Sequence, residues 1–268
     1  GSEMCIRDSF NTPPIPDEDN AAIVYARIAP LMERFEHSDG RAVLYRCRDL
    51  DANNQAFVST CGTLLASQES AFELLREAQA KPDLRWFVEF KPPLHEIDFS
   101  ELNLSACRAL SLLLHIRAQD EHRRGRDDLS VETVVQLLSL AEDIDRIPIL
   151  LAHLVAGSIL NRTVDLIQEL IPNLNSLEIE QQVDRQPADR AAVESILNRL
   201  LDDAPARENI AQAFRYERAT QLDSFYIVMG RSSARATNAA NRSGGSTYGP
   251  YFVVGPVFKL DVESMLSH

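Results

Sequence analysis

An all-α fold is what this sequence predicts, arranged as an irregular array or bundle of antiparallel helical hairpins. Three observations predict it. Leu and Ala dominate, and most Val and Ile fall at helical spacing rather than in alternating runs. The stretch from Ser100 to Pro172 holds three consecutive segments with clear helical periodicity and the longest apolar run in the chain. The connections within it are short, which favours antiparallel neighbours. No repeat of fixed period occurs, so the hairpins resemble tetratricopeptide stacking in kind without forming a regular solenoid.

Composition sets the outer bounds. At 268 residues, 45% hydrophobic and 25% charged, the chain is an ordinary globular sequence able to bury a core. Its net charge of -13 disfavours nucleic acid and anionic membrane surfaces as partners, since both reward clustered Lys and Arg. The acidity reads as solubility. Four cysteines, Cys5, Cys47, Cys61 and Cys107, show no CxxC spacing, so a zinc or redox motif is unsupported. Cys61 and Cys107 lie in apolar helical surroundings and read as small core residues. No apolar run looks long enough to span a bilayer.

Gly1 to Ser9 (GSEMCIRDS) reads as a translated sequencing-library transposon adapter, pointing to a metagenomic assembly, and is set aside from fold reasoning. On that reading the natural N-terminus is missing. Taking Glu3, Asp8 and Arg7 from the 40 acids and 27 bases leaves 38 and 26, so the acidity survives. Without Cys5, three thiols remain, an odd number that argues against a full disulfide framework.

Residues 10–16 (FNTPPIP) read as an extended linker, because proline fixes φ and removes a donor. A helical domain is expected over 17–229. Its first helix should begin near Asp17, with Asp17, Glu18 and Asp19 favouring the dipole. Ala22, Tyr25, Ala26, Ala29, Met32 and Phe35 form its stripe, interrupted by Pro30. No clear pattern follows from Asp39 to Asp51, where Asp39-Gly40 marks a turn. Two helices are expected between Asn53 and Ala80, broken near Ala66 to Glu69. Asp83 to Phe99 is aromatic and extended, since Pro92 and Pro93 forbid a regular helix.

Within the central block, Leu102, Ala106, Ala109, Leu110, Leu113 and Ile116 give one wide face. Val131, Val134, Val135, Leu138, Ala141 and Ile144 repeat it after a polar turn at Gly125 to Asp128, with Ser130 as N-cap. Pro148 should open a third helix that is apolar nearly all round to Leu160, and therefore buried at the centre of the fold. Helices over Ala188 to Leu201 and Ala206 to Val228 follow. A flexible loop at 230–250 and a C-terminal tail at 251–268, read as truncated, complete the chain.

Chemistry-bearing patterns are sparse. His115 and His153 lie on neighbouring helices and, with Glu142 or Asp145, are the candidates for a metal site; HExxH and paired ExxH motifs are absent. Two hydrogen-bonded core histidines are the plainer reading. Glu142 with Asp145, and Glu178 with Glu180, are carboxylate pairs of a kind that solvated helix faces normally carry. GxGxxG, GxSxG and a phosphate loop are all absent, and no cofactor or catalytic residue is assigned. Two stretches are the candidate binding surfaces: the aromatic segment with Trp86, Phe87 and Phe90, and the helix carrying Arg215, Tyr216, Glu217 and Arg218. For each, packing across helices or Arg–Glu pairing is the plainer explanation.

The order of features resembles a group of uncharacterised bacterial all-helical proteins. The residues that carry it are PPIPDEDNAA, NNQAFVSTCGTLLASQESAFELLREA, LSACRALSLLLHIRAQDEHRRGRDDLSVETVVQLLSLAEDI and AFRYERATQLDSF, spanning Asn11 to Phe225. The resemblance implies an N-terminal membrane anchor and an extracytoplasmic location, with membrane contact only through that missing anchor. It transfers no activity. The expectation is thus a non-enzymatic interaction or scaffolding module with a protein partner. The alternative is a helical enzyme or metal-binding protein using His115, His153 and neighbouring acids.

Overall fold

The computed structural model describes residues 15–48, 55–86, 102–170, 174 and 186–222. The chain divides into compact units Gly1–Ser224 and Phe225–His268, and the second lies outside the described residues. So do the segments expected to be an adapter (1–9), a linker (10–16, except Ile15 and Pro16), a loop (230–250) and a tail (251–268). Among the described residues the fold is all-helical, with no strand and only two isolated bridges, Asn20 with Asp83 and Arg126 with Gln186.

The first helix, α1, runs Ala21–Glu36. Asp17–Asp19 form a 3-10 turn ahead of it rather than its opening. The true cap is Asn20, whose carboxamide oxygen accepts from the amides of Ala22 at 3.1 Å and Arg85 at 2.9 Å. Its NH2 donates to the Arg85 carbonyl, so one buried side chain ties the helix start to the 83–85 segment. The buried stripe is Ala21, Val24, Tyr25, Ile28, Met32 and Phe35, while Ala26 faces solvent. Pro30 removes one helical bond on the exposed side, and the helix continues through it.

The stretch without a clear pattern is also helical: α2 spans Gly40–Arg48. It is short, mostly Arg and small residues, and buries only Leu44 and Cys47, which is too little periodicity to read from sequence. Gly40 is needed at its start because a Cβ there would overlap the Phe35 ring. Cys47 is bonded to Cys61 of the next helix, α3 (Gln55–Ser67), with Cα atoms 5.7 Å apart. Cys61 is therefore a disulfide partner rather than a lone core thiol; an odd count of thiols excludes a complete framework but not one bridge. Cys107 is the free, buried cysteine.

Helices α3 (Gln55–Ser67) and α4 (Glu69–Gln79) break where expected, at Gln68. The central block gives α5 (Leu104–Arg123), α6 (Asp127–Asp145) and α7 (Leu150–Leu170). The α5–α6 turn closes as a Schellman motif: Arg126 N–H reaches the Glu121 carbonyl and Gly125 N–H the His122 carbonyl, both at 2.9 Å. Gly125 takes φ 75°, the left-handed conformation that favours glycine at this position. Ser130 is not the N-cap. It lies inside α6, fully buried, and its hydroxyl donates to the Ala118 carbonyl across the hairpin at 2.9 Å. Pro148 falls two residues ahead of α7 rather than at its first position. Helix α8 covers Arg190–Leu201, and a ninth, α9, covers 204–222.

The centre of the molecule is α5, not α7. Helix α5 packs against α1, α2, α3, α6 and α7, whereas α7 meets chiefly α5 and α6. On α5, Leu110, Leu112, Leu113, Leu114, Ile116 and Ala118 are all buried, so its apolar surface runs nearly right round. On α7 one face is buried through Ala152, Val155, Ala156, Ile159 and Leu166, but Leu151 and Leu154 are each 60% exposed. Its leucine-rich run looks central by composition, and among the described residues it lies at the edge because only one face finds neighbours there. By length and composition α7 is also sufficient to cross a membrane, which corrects the expectation from run length. Arg162, Asp165 and Glu169 lie along it.

Candidate functional site

Helix α6 ends in Ala141-Glu142-Asp143-Ile144-Asp145, and each carboxylate here anchors a different element. Glu142 takes both ends of the Arg199 guanidinium from α8, at 2.9 and 2.8 Å. Asp143 accepts the Tyr25 hydroxyl of α1 at 2.6 Å, while its backbone carbonyl accepts the Trp86 indole N–H at 2.9 Å. Asp145 pairs with His153 Nδ1 of α7 at 2.6 Å and accepts the Asn209 amide of α9 at 2.8 Å. Burial raises the Asp143 carboxyl, the Tyr25 hydrogen bond opposing it. Burial and then the Asp143 charge push the Tyr25 hydroxyl well above its usual range. These groups join α6 to α1, α7, α8 and α9 and to the segment at Trp86.

The other end of the same hairpin buries more charge. Asp120, Glu121 and Asp127 are all buried where α5 turns into α6. Asp120 pairs with Arg123 at 3.0 Å and Arg124 at 2.7 Å; Asp127 meets His122 Nδ1 at 2.7 Å. Glu121 is held by Arg126 at 2.5 Å, and Arg117 lies within 4.0 Å of it. Burial raises the Glu121 carboxyl, with Arg126 and Arg117 pulling it back. Arg117 also sits over the Phe72 ring of α4, 4.5 Å from its centroid, a cation–π contact. Acid is available in quantity, yet it is consumed in ion pairs rather than directed into a cleft.

The two histidines proposed as metal ligands do not join such a group. Among the described residues no cluster of three or more His, Cys, Asp or Glu could hold a metal ion. His153 is engaged by Asp145. His115 lies beside Arg162 and Asp165, and Arg162 stands nine residues along α7 from His153, roughly 14 Å at helical rise. The His115 ring is pushed down to about 4 by burial first and the Arg162 charge second, and its Nδ1 has no hydrogen-bond partner. It is a neutral, packed imidazole. Only the His153 half of the paired-core-histidine reading finds its hydrogen bond.

Both candidate binding surfaces are partly absorbed into packing. Trp86 stacks on Tyr25 with ring centroids 5.2 Å apart, in addition to its bond to Asp143. Phe87 and Phe90 lie outside the described residues, as do Glu178 and Glu180. Tyr216 is buried, and Arg215 pairs along its own helix with Glu208 at 3.2 Å. Glu217 is half-buried and Arg218 exposed. A cavity beside Tyr25, Trp86, Ala106 and Cys107 measures about 20 Å³, room for roughly one water rather than a metabolite.

Sequence reasoning missed the exposed apolar side chains: Leu197 and Leu201 on α8, Phe214 on α9, and a pair on the outer side of α7. Leu151 and Leu154 project there with Gly157, Ser158 and Asn161, and Leu160 is partly exposed beside them. A Cβ built on Gly157 would meet nothing within 4 Å, so the backbone is open at that point. The spacing of Leu151 and Leu154 was readable, but a helix apolar on two sides does not announce which side the fold will cover. Comparison of the chain with family models, curated proteins and solved structures gives no match in any of the three.

Proposed function

We propose that this chain is a non-enzymatic helical interaction or scaffolding module that binds a protein partner through the outer face of α7. The observation that carries the reading is the pair Leu151 and Leu154, each 60% exposed on a helix whose other face is core. Isolated exposed leucines are ordinary, but two one turn apart beside an open glycine form a helix-docking stripe. A matching partner surface is an aliphatic helix or groove. The carboxylates at the end of α6 and the His153 imidazole are engaged in joining helices, and His115 is packed as a neutral ring, which supports a scaffold over an enzyme. The resemblance to anchored bacterial proteins adds the expectation that the module is tethered outside the cytoplasm.

The test compares the full chain with the double variant Leu151→Glu, Leu154→Glu. Sedimentation velocity reads self-association, and crosslinking in membranes from the source cells reads a partner. The wild type should form a defined complex that the variant loses at unchanged helicity. Equal behaviour of the two proteins would remove α7 from the proposal, and substrate turnover by the wild type would end the scaffold reading altogether.

A further inference from the structure

We infer that Cys47–Cys61 is a structural disulfide fixing α2 to the core, and that the chain therefore completes its fold in an oxidising compartment. The argument starts from how little else holds α2. The helix has nine residues, below the length at which isolated helices persist in water; it fully buries Leu44 and Cys47 and packs a half-buried Val43 beside them. Arg41, Ala42, Tyr45 and Arg46 face solvent. The bridge to α3 thus reinforces a small apolar face of three residues, closing a loop with a sequence separation of 14.

Burial separates a structural bridge from a catalytic one. Cys47 and Cys61 both have 0% exposure, so neither sulfur is reachable once α2 has docked. A catalytic or sensing disulfide needs an accessible sulfur and a low-pKa thiol beside it. The free thiol Cys107 is itself buried and pushed up to about 12 by desolvation, so it supplies no thiolate for exchange. The bond must consequently form while α2 is still undocked. The thiolate of one cysteine attacks a sulfur of a disulfide oxidant, giving a mixed disulfide, and the second cysteine displaces the oxidant. Two electrons and two protons pass to the oxidant, which leaves as two thiols. Compartments that keep such oxidants available during folding are the periplasm and the extracellular space, not a reducing cytosol. This inference is independent of the interaction reading, because it concerns a different helix and makes no use of a partner.

The full chain, unfolded and reduced, is refolded in a buffer rich in oxidised glutathione and in one containing dithiothreitol. Peptide mapping by mass spectrometry should find Cys47 linked to Cys61 in the first, with two of the four thiols consumed. Melting should occur roughly 6 to 12 °C lower in the reduced protein. Dithiothreitol added to the oxidised, folded protein should open the bond slowly, and quickly once denaturant is present. The double variant Cys47→Ala, Cys61→Ala should match the reduced wild type and ignore reductant. A folded protein from the oxidising buffer without the linked peptide would overturn the inference, as would equal melting of oxidised and reduced forms. If the variant does not fold, the reduced wild type still supplies the comparison.

Discussion

The two ends of the central block reverse the usual distribution of residues. At the α5–α6 turn, three carboxylates are buried, with Asp127 at 0% exposure. At the start of α7, two leucines stand in solvent. The first arrangement is tolerable only because each carboxylate meets a cationic or imidazole partner within hydrogen-bond or ion-pair distance. It also serves topology: Asp127 N–H bonds the Gln186 carbonyl at 3.1 Å and Gln186 N–H the Gly125 carbonyl at 2.8 Å, fastening a distant segment to the turn. The second arrangement has no compensation within the described residues. Buried charge that is satisfied marks a joint of the fold, whereas exposed leucine without a neighbour marks surface left over for something else.

Breaking the charged joint should produce the largest effect. Asp127→Ala strips His122 of its partner and opens a hole at a fully buried site, and about 3 kcal/mol of stability should be lost in urea unfolding at pH 7. A variant as stable as wild type would show that the turn is held by its backbone alone.

A histidine without a partner sharpens the same contrast. In the unfolded chain His115 takes a proton near 6.5, but in the folded protein only near 4. Between those values the unfolded state binds more protons, so this contribution is fully present above pH 6.5 and falls away as pH drops toward 4. The raised carboxyls of Asp143 and Glu121 act in the opposite sense, favouring the folded state as pH falls. His115→Leu should recover about 2 kcal/mol of the stability lost between pH 6.5 and 4.5, measured by denaturation at both values. An unchanged pH dependence would place the titration elsewhere.

The smallest effect belongs to the leucine face. Leu154→Gln should change unfolding free energy by less than about 0.5 kcal/mol, since no core contact is lost. A cost of several kcal/mol would mean that the leucine packs against something in the free protein.

Much of the fold was legible because burial leaves a period in the sequence. The faces of α5 and α6 were read residue by residue, and the α3–α4 break fell at Gln68 as expected. Helix α2 was not legible, because Val43, Leu44 and Cys47 span little more than one turn, too short a stripe to show a period, and a disulfide reinforces it. Local rules started the first helix near Asp17, ahead of its Asn20 cap, and made Ser130 an N-cap where it is a buried cross-hairpin donor. A polar side chain serves equally well at a cap or across a helix pair, and only its neighbours decide.

What the sequence by itself determined is the all-α class, the helical hairpins and the core faces of α5 and α6. Those follow from local spacing of apolar residues, which each segment carries independently of the rest. Only the tertiary structure decided that α5 is central and α7 peripheral, that Cys47 meets Cys61, and that the acids at the end of α6 each hold a different helix. These depend on which faces meet between helices, across 14 residues for Cys47–Cys61, 57 for Glu142–Arg199 and 118 for Tyr25–Asp143, information that no single segment contains.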